Sequence, residues 1–62
     1  MSRTDGYLSH LVFRGGLTEL LSEGTIEEAT ETAQHAAPLR EGCVGWFVTS
    51  PLDGSVVAEG VP

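Results

Sequence analysis

The sequence contains no lysine, and three arginines stand against nine aspartate and glutamate residues. Binding to the phosphates of DNA or RNA requires clustered Lys and Arg side chains, and attraction to an anionic membrane surface requires the same. The formal net charge of −6 therefore argues against both kinds of partner. It fits simple solubility, which is the more usual role of such a charge, or a basic partner protein.

Cysteine is also scarce: Cys43 is the single one in 62 residues. No internal disulfide can therefore form. A chain of this length buries only about 60% of the surface of its unfolded form, so its margin of stability is small. Such domains usually gain support from disulfides, a metal or a partner subunit. Self-association or docking on another protein is the support that we expect.

Metal and cofactor ligands are few. His10, His35 and Cys43 are the candidate nitrogen and sulfur ligands, and none of them is paired at the short spacing of a structural zinc site. Gly15-Gly16 lacks the further glycines and the lysine of a phosphate-binding loop. We therefore predict neither a metal nor another cofactor.

No motif for catalysis is present. There is no G-x-S-x-G sequence, and Cys43 opens an apolar strand, where a thiol is usually buried and unreactive. The carboxylate pairs Glu27/Glu28 and Glu27/Glu31 fit a solvated helix face better than an acid–base dyad. We predict no catalytic residue and no small-molecule substrate, and an enzyme or metal protein centred on Cys43 and His35 is the least favoured hypothesis.

Long apolar runs are missing as well, since no segment approaches the ~20 residues that a membrane span needs. Residues 1–6 lack the apolar core and cleavage site of a signal peptide, and we expect them to be a flexible N-terminus. A lone cysteine without an export signal is typical of the cytoplasm. The remaining expectation is a single domain over residues 1–62.

Three segments have the alternating pattern of β-strands: residues 7–14, 43–49 and 55–61. In the second, the pattern places Val44, Trp46 and Val48 on one face and Cys43, Gly45 and Phe47 on the other. The sequence Pro51-Leu52-Asp53-Gly54 is typical of a turn, because proline fixes φ and Asp-Gly suits a hairpin loop. The last two strands are therefore predicted to form a hairpin.

One helix is predicted after Gly24. Thr25 and Glu28 have the spacing of a capping box, and Glu27 and Glu28 lie where the helix dipole favours negative charge. A narrow stripe of mostly small apolar residues follows, formed by Ile26, Ala29, Ala33, and Ala36 or Ala37. Pro38 ends the helix at Ala37, and the small stripe predicts close packing against a sheet.

Residues 17–23 fit two structures. Leu17, Leu20 and Leu21 have the i, i+3, i+4 spacing of a short helical turn, which the sequence slightly favours. The alternative is a hairpin turn at Arg14-Gly15-Gly16 followed by a second strand from Thr18 to Ser22. The predicted fold is thus a small α+β domain, with one main helix and an antiparallel or mixed three-stranded sheet in β-α-β-β order, plus a short helix or strand at residues 17–23.

Two segments resemble known families. The size and β-α-β order resemble the small tautomerases, but these depend on an N-terminal proline where Ser2 stands here. The sequence E-G-T-I-E-E-A at residues 23–29 resembles the G-x-T-x-E-E-A entry to the helix of HicB-type antitoxin domains. The proline-bearing segment that precedes that helix in the family is replaced by residues 13–16. We therefore assign the chain to neither family.

Two surface features point to a protein partner. Carboxylates are concentrated between residues 19 and 31, and both faces of the strands at residues 7 and 43 carry large apolar side chains that one short helix cannot cover. The candidate interaction residues are Glu19, Glu23, Glu27, Glu28, Glu31, Tyr7, Phe13, Trp46 and Phe47.

These features favour a small acidic, non-catalytic protein-binding or regulatory protein, for example an inhibitor or accessory factor encoded by a phage or a bacterium. The alternative is a self-assembling structural subunit, in which a sheet face is buried between copies. Both hypotheses leave the identity of the partner open.

Overall fold

The computed structural model describes residues 5–62. Their elements, in chain order, are Tyr7–Phe13 (β1), Thr18–Gly24 (β2), Ile26–Ala36 (α1), the 3-10 turn Ala37–Leu39, Cys43–Thr49 (β3) and Val56–Gly60 (β4). The strands form one antiparallel sheet in the order β2-β1-β3-β4, and α1 packs across β2, β1 and β3. The predicted α+β class is confirmed, whereas the predicted three-stranded sheet is wrong, because a fourth strand is present.

That fourth strand is β2, so the favoured helical prediction for residues 17–23 is wrong. A β-bulge explains the misleading leucine spacing: Ser9 pairs with Ser22 and His10 pairs with Leu20, which leaves Leu21 as an extra residue. Leu21 packs against the core while Leu20 is exposed. The bulge therefore breaks the alternation that would have identified the strand.

The turn between β1 and β2 depends on its two glycines. Gly15 and Gly16 have φ values of 93° and 87°, a region that other residues rarely adopt. The turn is closed by hydrogen bonds from the Phe13 amide to the Leu17 carbonyl and from the Gly16 amide to the Phe13 carbonyl. The hairpin turn that we considered as the alternative is the one observed.

The start of α1 has the predicted capping box. The Glu28 amide donates to the Thr25 hydroxyl oxygen at 3.1 Å, and the Thr25 amide donates to Glu28 Oε1 at 3.1 Å. These bonds satisfy amide groups that the first turn leaves without helical partners. The helix ends at Ala36, and the chain tightens into the 3-10 turn at Pro38.

Removal of this cap should destabilise the fold. We expect Thr25→Ala to lower the free energy of unfolding by about 1 kcal/mol, the usual cost of an N-cap residue. Urea titration followed by circular dichroism measures this change. The matched control is Thr32→Ala at an exposed position inside α1, which should be neutral or slightly stabilising. Equal losses in both variants would contradict the role of the cap.

The core lies between α1 and the sheet. Its buried members are Leu11, Val48 and Trp46 from the strands and Ala29, Ala33 and Ala37 from the helical side. The alanines allow the helix backbone to approach the sheet closely, as the stripe predicted. Ser9 is fully buried beside them, and its hydroxyl oxygen is 2.5 Å from the hydroxyl oxygen of half-buried Ser22.

A second bulge changes which side chains of β3 lie on the core side of the sheet. Val12 pairs with Gly45 and Phe13 pairs with Cys43, so Val44 is the extra residue and its side chain is exposed. Cys43 therefore packs against the core with Trp46 and Val48. The predicted grouping of Val44 with Trp46 and Val48, and of Cys43 with Phe47, is wrong on this account.

The hairpin of β3 and β4 is confirmed. Its turn is held by the Gly54 amide, which donates to the Ser50 carbonyl, and by Ser55, whose amide and hydroxyl donate to Asp53 Oδ1 at 3.0 and 2.7 Å. The two bonds from Ser55 stabilise the charged form and lower the pKa of Asp53 below its ordinary value.

Of the segment predicted to be a flexible N-terminus, residues 1–4 lie outside the described residues. Gly6 lies against Pro51, where an added Cβ would be 3.2 Å from the proline Cβ.

Among residues 5–62, no helix has the length and apolar character that a membrane span requires.

Candidate interaction surface

The sheet has one face under α1 and one face without a covering layer in the described part of the chain. The register places cross-strand partners on the same side, so it defines the uncovered side, which we call the outer face. Three rows of paired residues cross it: Glu23, Leu8, Thr49 and Val56; Leu20, His10, Phe47 and Glu59; Thr18, Val12 and Gly45.

The centre of the outer face is a pair of stacked rings. His10 and Phe47 are cross-strand partners whose ring centroids are 4.5 Å apart with an interplanar angle of 10°. His10 Nε2 lies 3.2 Å from Thr49 Oγ1, a second contact that fixes the imidazole. The stack is therefore held in place without any partner.

Apolar side chains surround this stack. Leu20, on the edge strand β2, is 61% exposed, and Val56, on the opposite edge strand β4, is 53% exposed. Leu8 and Val12 on β1 are half-buried between them. Two carboxylates lie at opposite edges of the face: Glu23 on β2 and Glu59 on β4.

A shallow depression of about 310 Å³ lies at the β3–β4 side of this face. Gly45 contributes to it because no side chain fills its position between Val12 and Phe47. Gly60 lies at its far end, and the core residue Trp46 packs over Gly60 from the covered side, where an added Cβ would be 2.7 Å from Trp46 Cζ2. The remaining lining is Trp46, Phe47, Val56 and Glu59.

The five predicted glutamates do not form one surface. All are exposed, but Glu28 belongs to the helix cap and Glu23 pairs in register with Leu8 on the outer face. Glu27 and Glu31 lie on the exposed side of α1, where Glu31 and His35 line a shallow groove. The sheet thus separates Glu23 from the helix glutamates.

Glu19 has a partner of its own. Arg40 Nη2 donates to both carboxylate oxygens of Glu19 at 2.6 Å, and the guanidinium carbon lies 5.8 Å from the centre of the Phe13 ring. The hydrogen bond and the charge of Glu19 raise the pKa of Arg40. Both side chains are exposed, so solvent screens much of this attraction.

The four predicted aromatic residues are also divided. Trp46 is 7% exposed and belongs to the core, and Tyr7 and Phe13 are half-buried against that core. Phe47 alone among the four lies on the outer face. The anticipated apolar surplus is therefore carried by Phe47 together with aliphatic residues.

The candidate metal ligands and the candidate nucleophile lie in separate places. His10 lies on the outer face, His35 lies on the exposed side of α1, and Cys43 is half-buried against the core, where its thiol donates to the Gly45 carbonyl at 3.2 Å. Within residues 5–62, no three His, Cys, Asp or Glu side chains lie close enough together to hold a metal ion.

His10, Leu20, Val56 and Glu59 of the outer face are not among the interaction residues predicted from the sequence. The alternation of β1 was a usable signal, since it places Leu8, His10 and Val12 on one side.

The chain matches no known protein-family model, no curated protein and no solved structure.

Proposed function

We propose that this chain is a small acidic, non-catalytic protein-binding protein of a regulatory kind, and that its outer face docks on a partner protein. One observation carries the proposal: the outer face joins exposed aliphatic side chains around the His10–Phe47 stack and has no covering layer among residues 5–62. Contiguous apolar surface of this kind usually marks an interface.

The composition of the surface supports this assignment. An aromatic anchor at the centre, aliphatic neighbours and a carboxylate at each edge match the usual arrangement of a binding patch, with an apolar middle and a polar rim. Aromatic residues at such centres contribute a large share of binding energy. Phe47 has that position, and its contact with His10 limits the conformational freedom that binding would remove.

The test compares partner capture by two charge-matched variants. Purified wild-type chain should retain a partner from an extract of its source cells, and Phe47→Asp should weaken the interaction by roughly 30-fold or more, the effect of losing a binding hot spot of about 2 kcal/mol. Gln34→Asp adds the same charge on the exposed side of α1 and should leave binding unchanged. Circular dichroism checks that each variant remains folded.

The opposite pattern would contradict the proposal. If Phe47→Asp retains the partner and the double variant Glu27→Gln/Glu31→Gln loses it, the binding surface is the acidic side of α1.

A self-assembling subunit is the second candidate function, because the same outer face can be buried between two copies. Light scattering over a wide range of concentration separates the two. A constant mass of one chain rules out self-assembly, whereas a dimer that Phe47→Asp dissociates would support it.

A further inference from the structure

The depression on the outer face combines apolar walls with a single charged group. Glu59 is the one ionisable residue among its seven lining residues, and the carboxylate stands on exposed strand β4. Glu59 takes no part in the ion pair between Arg40 and Glu19. A side chain that enters here meets hydrophobic surface along its length and a negative charge at one end.

The ring of Phe47 is half-buried and lines the depression. One face of the ring stacks on His10, which belongs to the neighbouring strand β1. The opposite face of the ring is consequently directed toward β4, the strand on the other side of β3. Glu59 is the direct cross-strand partner of Phe47 on β4, so the ring face and the carboxylate flank the same space.

We propose that this space binds an arginine side chain of the partner protein, an inference that rests on the proposed docking of the outer face. A planar guanidinium stacks on an aromatic ring and donates two parallel hydrogen bonds to a carboxylate, while its aliphatic stem covers apolar surface. Val12 and Val56 provide that apolar surface. A lysine ammonium forms no comparable stack and matches the carboxylate less well.

The charge of the chain favours a different protein over a second copy. Two copies each carry a formal charge of −6, and their mutual repulsion opposes association. Glu23, at the opposite edge of the outer face, is also acidic, so a partner with basic residues on both sides of an apolar segment is complementary to the whole surface.

The experiment begins with a random peptide library displayed on phage and selected on the full chain. Selected sequences should contain arginine beside apolar residues. The strongest peptide is then synthesised in three forms, with arginine, with lysine and with citrulline, the neutral isostere of arginine. Calorimetry should show that citrulline weakens binding by roughly 10- to 100-fold, as expected for loss of a charge-assisted hydrogen bond.

A double-mutant cycle locates the arginine. Glu59→Gln should weaken binding of the arginine peptide by the same factor and leave the affinity for the citrulline peptide unchanged. This is expected because the substitution in the protein and the substitution in the peptide remove the same interaction. Glu41→Gln is the matched control, since it alters the net charge equally at an exposed loop position outside the depression. It should leave all three affinities unaltered.

The outcomes distinguish this inference from the proposed function. Peptides that require Phe47 but lack arginine, or that bind Glu59→Gln normally, overturn the arginine site and leave docking on the outer face intact. Absence of any selected peptide sensitive to Phe47→Asp counts against both. A homodimer that is abolished by Arg14→Gln would assign the arginine to a second copy and overturn the choice of partner.

Discussion

Leu11→Ala is expected to bring the protein close to global unfolding at 25 °C. Leu11 lies in the central strand β1, is 0% exposed and is among the largest fully buried side chains. Truncation of a buried leucine costs about 3–5 kcal/mol, because apolar contact is lost and a cavity remains. A domain of this length has a total stability of roughly 3–9 kcal/mol, so the loss is a large part of the whole.

Urea unfolding followed by the fluorescence of Trp46 measures this loss, since the indole lies in the same core. The matched control is Leu52→Ala in the β3–β4 turn, where the side chain is 89% exposed. It should alter the free energy of unfolding by no more than about 0.5 kcal/mol. A loss below about 1 kcal/mol for Leu11→Ala would mean that α1 does not seal the core as described.

The second large effect is expected from enlarging the helix stripe. Ala33 is fully buried where α1 lies against the sheet, and a leucine at this position must displace the helix or its neighbours. Overpacking of this kind costs about 1–3 kcal/mol or more. For a domain of this size, each kcal/mol lowers the melting temperature by about 4–8 °C.

Gln34→Leu provides the control, because it introduces the same side chain one residue later on the exposed side of α1. Leucine has good helix propensity, so little change in melting temperature is expected there. Similar melting temperatures for Ala33→Leu and the wild type would show that the helix is not closely seated on the sheet.

The helix and the second hairpin could be predicted from sequence because their signals are local. Thr25 and Glu28 form a capping box within four residues, and the Pro51–Gly54 sequence specifies a turn by its own backbone preferences. Strand β3 was predicted with its observed bounds, since its alternation is long enough to show through.

The bulges could not be predicted, and the errors in facing follow from them. A bulge adds one residue to one strand, which shifts the phase of every side chain beyond it. Leu21 and Val44 carry no residue-type signature of that shift. The candidate surface depends on the same phase: an apolar surplus was predictable, but its location on Phe47 and not on Trp46 required the register.

The bulges have a consequence for the behaviour of the chain in crowded solution. Both edge strands contain a bulge: Leu21 is the extra residue in β2, and Val57 is the extra residue in β4, where Val48 pairs with Ala58 and Thr49 pairs with Val56. A bulge interrupts the regular spacing of amide and carbonyl groups and increases local twist, so an incoming strand finds no continuous ladder to extend. Growth into fibrils through these edges is thereby disfavoured, although the sheet has an uncovered apolar face within residues 5–62.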